Sequence, residues 1–194
     1  RGASRADPAA AIASPPAARV EPWRGRGPIR AWLDPRIVVR QYLRRGRWEK
    51  LRFAVAGLVP PSILQGGGWD RRAGPYEAHR TYRILADIHA AGLVPERTEL
   101  YRRLLAAAQA GRPIERRGTV LRDEVAIRQF LSEYAALYAR IRDEGYRPGA
   151  ARDEPGVAIA RDGEVIKVAN GNHRFAIARL LGLAPVPVDV HFIH

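Results

Sequence analysis

Asn170-Gly171-Asn172-His173-Arg174 is the run of residues best equipped for chemistry in this chain. It falls at the expected start of a helix, where free backbone N–H groups and the positive end of the helix dipole favour an anion such as phosphate. Gly171 allows close backbone approach and a positive φ. Asn172 is the expected N-cap. Arg174 offers a fork of donors matched to phosphate oxygens. His173 can donate a hydrogen bond or carry a proton near neutral pH. The same residues also suit a plain helix start, with Asn172 as cap and His173-Arg174 as a solvated first turn.

The flanking segments hold this run in place. Val165–Val168 is β-branched and predicts a strand. Ala169–Asn172 is a turn cluster. Arg174–Leu181 predicts a short helix with Phe175, Ile177, Ala178, Leu180 and Leu181 apolar, stopped by Gly182. Val186, Val188 and Val190 alternate with Pro187 and Asp189 as a further strand, extending to Ile193. Upstream, Val157–Ala160 and Val165–Val168 flank Arg161-Asp162-Gly163-Glu164, a hairpin signal.

This unit resembles the core of the ParB/sulfiredoxin-like superfamily. There a strand leads into Asp-Gly-x-x-Arg or Gly-x-His-Arg, then a short helix, Leu-Gly and a Val-Pro-Val strand. A second segment, Ser62–Asp70, reads SILQGGGWD. Its glycines could form a phosphate nest, but no Lys-Ser/Thr follows, so it is not a Walker loop. Gly66–Gly68, Trp69 and Asp70 resemble the Gly-Gly-x-Trp-Asp of an uncharacterised group in the same superfamily. That resemblance implies that Gly67, Gly68 and Asp70 share one pocket with Gly171, Asn172, His173 and Arg174. Gly145-Tyr146-Arg147-Pro148 also resembles the Gly-x-x-Pro that ends a superfamily helix.

The superfamily implies several activities. Sulfiredoxin chemistry needs a cysteine before the His-Arg, and this chain has none. Some relatives bind CTP, and others are kinases of free serine. The expectation is therefore a nucleoside triphosphate, ATP or CTP, held with Mg2+ for hydrolysis or phosphoryl transfer. Asp70 and His173 are the candidate catalytic residues, with Glu154 a weaker acidic candidate. Asp70 equally suits a cap neutralised by Arg71-Arg72. Asn170 replaces the usual Asp before the glycine and removes a carboxylate there. A ParB-like nuclease or DNA-binding protein is the alternative, and a non-catalytic accessory subunit is a third.

Composition narrows these classes. A 194-residue chain has room for one main domain and a proper core. No apolar run reaches the roughly eighteen residues of a bilayer span. Absence of cysteine excludes disulfides and thiolate sites. The net charge of +13 suits a polyanion partner, nucleic acid included, although Lys50 and Lys167 are the only lysines and the Arg bias also fits a GC-rich coding sequence. The chain starts at Arg1 and contains no Met, so its native start is expected to be missing, and cytoplasm is the default location.

The expected class is α+β, a small mixed sheet with several helices around it. Residues 1–28 read as a flexible arm able to dock a protein partner, and 29–194 as a single domain with a helical insertion at about 76–145. Asp34-Pro35 predicts a helix from Pro35 to about Arg45, followed by a second short element near Gly57. Further helices are expected at Tyr76–Ala91, Pro95–Ala110 and Arg122–Glu144. The last has an apolar stripe of Ile127, Phe130, Leu131, Tyr134, Leu137, Tyr138 and Ile141. Arg112–Val120 reads as a loop. His79 and His89 read as structural or surface residues.

Overall fold

A computed structural model describes residues 29–43, 64–116 and 118–194. The proposed arm at 1–28 and the element near Gly57 lie outside them. The fold is α+β. Its main sheet is six-stranded and mixed, in the order β1 (Ile29–Leu33), β8 (Val186–Ile193), β6 (Gly156–Ile159), β7 (Val165–Ala169), β2 (Arg40–Tyr42) and β3 (Ala73–Pro75). β8 runs parallel to β6, and β7 parallel to β2, while the remaining neighbours are antiparallel. Between β3 and β6 the chain forms α1 (Arg80–Ala90), α2 (Glu99–Gln109), a small hairpin of β4 (Ile114–Arg116) and β5 (Thr119–Leu121), and α3 (Glu124–Glu144). α4 (Asn172–Leu181) joins β7 to β8.

α4 sits between the sheet and the other helices. Phe175 and Ala178 pack with Val157, Val186, Val188 and Val190 of the sheet. Ala176 and Ile177, on its other side, pack with the buried stripe of α3 and with Leu85 and Ile88 of α1. All four of these α4 residues are 0% exposed, which leaves the position of α4 little freedom. Arg179 adds a polar fastening, donating from Nη1 to the carbonyls of Pro35 (2.9 Å) and Arg36 (2.8 Å).

Several local expectations are met. Gly182 caps α4 in the left-handed region, and Leu183 N–H closes onto Ala178 O at 2.9 Å. The Asp162-Gly163 turn joins β6 to β7. Asp34 accepts from Arg36 N–H at 2.9 Å with Pro35 in the first turn, as its spacing predicts. The helix that cap should open is only a 3-10 turn, Pro35–Ile37. β-branched Val38-Val39 follow, and Arg40–Tyr42 is drawn into the sheet between β7 and β3.

The other helices start later than predicted. 3-10 turns at Tyr76–Ala78 and Pro95–Arg97 precede α1 and α2, and the true N-caps are His79 and Thr98. His79 Nδ1 accepts from Thr81 N–H at 3.2 Å, a structural role that needs an unprotonated nitrogen. Burial, helped by the charge of Lys167, holds this imidazole below its ordinary pKa. The predicted loop 112–120 contains the β4–β5 hairpin instead. β1 and β3 carried no clear sequence signal, and both exist through pairing with distant strands.

Candidate functional site

The strand-to-helix junction is built by two left-handed residues in succession. Asn170 has φ 37° and Gly171 φ 57°, and the buried Lys167 ties the turn down by donating from Nζ to the carbonyls of Ala169 and Asn170. Gly171 is the N-cap of α4, and no side chain caps it. This corrects the expected cap: Gly171 takes that position, and Asn172 is already helical. Gly171 also packs against backbone. A Cβ built on it would lie 2.8 Å from both Cα and N of Pro155.

In front of this junction lies a cavity of about 560 Å³. Asn170, Gly171, Asn172, His173 and Arg174 form one wall, and the end of α3 with Gly145–Arg147 and Ala150–Asp153 forms the rest. Arg140, Arg147, Arg152 and Arg174 line it, against the carboxylates Glu144 and Asp153. Glu144 is paired with Arg147 at 3.3 Å. The His173 ring lies 5.3 Å from that of Tyr134, at an angle of 52°.

Arg174 is less free than its sequence position suggests. Its side chain is 12% exposed, and its Nη2 reaches Glu154 Oε2 at 3.2 Å and the Asp153 carbonyl. Glu154 is 2% exposed and accepts from Tyr146 O–H at 2.8 Å and Gly149 N–H at 2.6 Å. The guanidinium carbon of Arg174 lies 5.3 Å from the centroid of the Tyr146 ring. Burial, then the Glu154 hydrogen bond, pushes the Tyr146 phenol well above its ordinary pKa, so it stays a donor. Nη1 of Arg174 is buried and has no hydrogen-bond partner among the described residues. Glu154 was singled out in the sequence as a weaker acidic candidate. Here it is a positioning residue for Arg174.

Asp70 lies elsewhere. Arg161, in the β6–β7 turn, donates to it from Nε (2.6 Å to Oδ2) and from Nη2 (2.8 Å to Oδ1). Arg161 Nη2 also donates to the Gly67 carbonyl at 2.7 Å, and His194 Nε2 lies 2.8 Å from the same oxygen. Trp69 packs edge-on against Phe192 and donates its indole N–H to Gln65 O at 2.8 Å. The glycine segment is thus latched to the turn that opens β7, whereas the cavity lies where β7 ends. The five residues of β7 separate them by roughly 17 Å. The expected shared pocket is corrected accordingly. Asp70, Gly67 and Gly68 line no part of the cavity holding His173, and the best carboxylate for a base is spent on an ion pair.

The Arg161 fork holds the Asp70 carboxyl far below the ordinary carboxylate range. Asp70→Asn should therefore cost about 1.5 kcal/mol at neutral pH, the low end for a charged hydrogen bond because Arg161 is partly in solvent. A depressed folded-state pKa stabilises above the unfolded value near 3.9, and that stability is lost as pH falls. The gap in denaturation midpoint between wild type and Asp70→Asn should be full at pH 7 and shrink steadily below about pH 4. A gap that persists unchanged into acid would mean that the pair contributes nothing.

Arg140, Glu144, Tyr146, Arg147, Arg152 and Asp153 line this cavity although sequence reasoning assigned none of them to a site. Tyr146 and Arg147 fell inside the Gly145–Pro148 segment, but local pattern does not reveal that this segment folds back onto the junction. Among the described residues no group of three His, Asp or Glu side chains is placed to hold a metal ion, and no helix is long and apolar enough to cross a membrane. No protein-family model, curated protein or solved structure matches this chain.

Proposed function

We propose that this chain is a nucleotide-binding domain of ParB/sulfiredoxin type, taking the phosphates of a nucleoside triphosphate, ATP or CTP, at the N-terminus of α4. The observation that carries this reading is one cavity in which the N-terminus of α4, a left-handed turn and Arg140, Arg147, Arg152 and Arg174 converge. Phosphoryl transfer or hydrolysis is the reaction that suits it. The terminal phosphoryl would leave the bridging oxygen for water or an acceptor hydroxyl, whose proton His173 would accept, with nucleoside diphosphate as the other product. Glu144 and Asp153 line the cavity and would be the carboxylates to hold a Mg2+ beside bound phosphates, an ion that usually takes one or two carboxylates there.

Calorimetric titration with ATP, ADP, CTP and GTP, with and without Mg2+, tests this reading. Arg147→Gln/Arg152→Gln removes two exposed cavity cations and leaves the buried Glu154–Arg174 pair intact. We expect it to weaken triphosphate binding by about tenfold or more with little change in melting temperature. Absence of nucleotide binding, or equal binding by this variant, would reject the site. Tight, salt-sensitive DNA binding without nucleotide uptake would favour the nucleic-acid alternative instead.

A further inference from the structure

A second cavity, of about 690 Å³, lies where α1, α2 and β4 meet. We infer that Arg80 of α1, Arg103 of α2 and Arg116 of β4 form a second anion cradle there, which takes a phosphate-bearing ligand independently of the α4 site. Three guanidinium groups from separate elements converge on one concave surface, with Arg83 beside them on the face of α1.

Three carboxylates, Glu77, Asp87 and Glu99, also line the cavity, and among the described residues none of them is ion-paired to Arg80, Arg83, Arg103 or Arg116. Asp87 accepts from the Glu99 and Leu100 amides (3.1 and 2.8 Å) at the start of α2. Glu77 faces Arg179 at 3.3 Å. Glu99 lines the same cavity from the first turn of α2. Arg116 is half-buried, and its side chain donates a 3.3 Å bond to the neighbouring Glu115 carbonyl. Burial, then the charges of Arg80 and Arg103, lower its proton affinity against an opposing effect of Tyr134.

A phosphate fits better than a single carboxylate. Several planar forks can engage its separate oxygens, and its charge relieves all three cations together. Tyr82 and Leu100 add apolar wall on which an organic part of the ligand can rest.

The test uses the full chain carrying Arg147→Gln/Arg152→Gln, so that the α4 cavity contributes little. Inorganic triphosphate is titrated by calorimetry, and a short fluorescein-labelled oligothymidylate by anisotropy, with and without Arg80→Gln/Arg103→Gln. Loss of about tenfold in triphosphate affinity supports the cradle. A parallel loss with the oligonucleotide identifies nucleic-acid backbone as the source of the phosphate, and an oligonucleotide response that does not change identifies small phosphate compounds. Unchanged triphosphate affinity overturns the inference. If the double substitution lowers the melting temperature, Arg103→Glu alone, at an exposed position, supplies the same two outcomes.

Discussion

Gly171→Ala is expected to lower stability by about 3 kcal/mol, combining a left-handed cost of about 1–2 kcal/mol with overpacking of about 1–3 kcal/mol. Gly171 has φ 57°, and an added Cβ would sit 2.8 Å from two backbone atoms of Pro155, far inside ordinary contact. Neither Gly171 nor Pro155 can yield cheaply. Pro155 precedes β6 and its carbonyl accepts from Asp189 N–H at 3.0 Å, while α4 is pinned on both faces by buried side chains. For a chain of this size the melting temperature should fall by about 10 °C. Gly182→Ala is the internal control. Gly182 has φ 68°, but no atom lies within 4 Å of its added Cβ, so only the left-handed cost of about 1–2 kcal/mol applies. Equal losses for the two variants, measured by chemical denaturation, would show that contact with Pro155 is unimportant. Because Gly171 also aims the first amides of α4, the same variant should lose anion affinity at the cavity beyond what its stability loss explains.

The second large effect is expected at Glu154. Glu154→Ala should cost about 3–5 kcal/mol, the range for removing one partner of a buried ion pair. It strands the Arg174 guanidinium, whose side chain is only 12% exposed, and leaves Tyr146 O–H and Gly149 N–H without their acceptor. Glu154→Gln keeps the shape and one acceptor, and should cost about 2 kcal/mol. Replacing both charges, as Glu154→Leu/Arg174→Met, should recover much of the loss, because the penalty comes from an unpaired buried charge rather than from loss of attraction. A double-mutant cycle should therefore give a coupling above about 1 kcal/mol. Additive losses would mean that the pair is not coupled. Arg174→Ala breaks the same buried pair, so the exposed cavity arginines report on anion binding more cleanly than Arg174 does.

The parts of this protein that its sequence determined are those governed by neighbours in the chain. The Asp-Gly turn between β6 and β7, the Gly182 stop of α4, the Asp34 cap and the buried stripe of α3 each depend on residues within a few positions of one another. The junction at Asn170–Arg174 was legible for the same reason, since a left-handed glycine between a strand and a helix is local chemistry. Partnership was not legible. Asp70 meets Arg161 across 91 residues, and β1 meets β8 across some 150, so no window of sequence displays either contact. Arg40–Tyr42 followed a helical cap yet became strand, because the ladders offered by β7 and β3 outweigh a weak local preference. Tertiary structure alone decided that the glycine segment and the His-Arg turn occupy opposite ends of β7. An extended strand must carry its two ends far apart, whatever motifs sit on them.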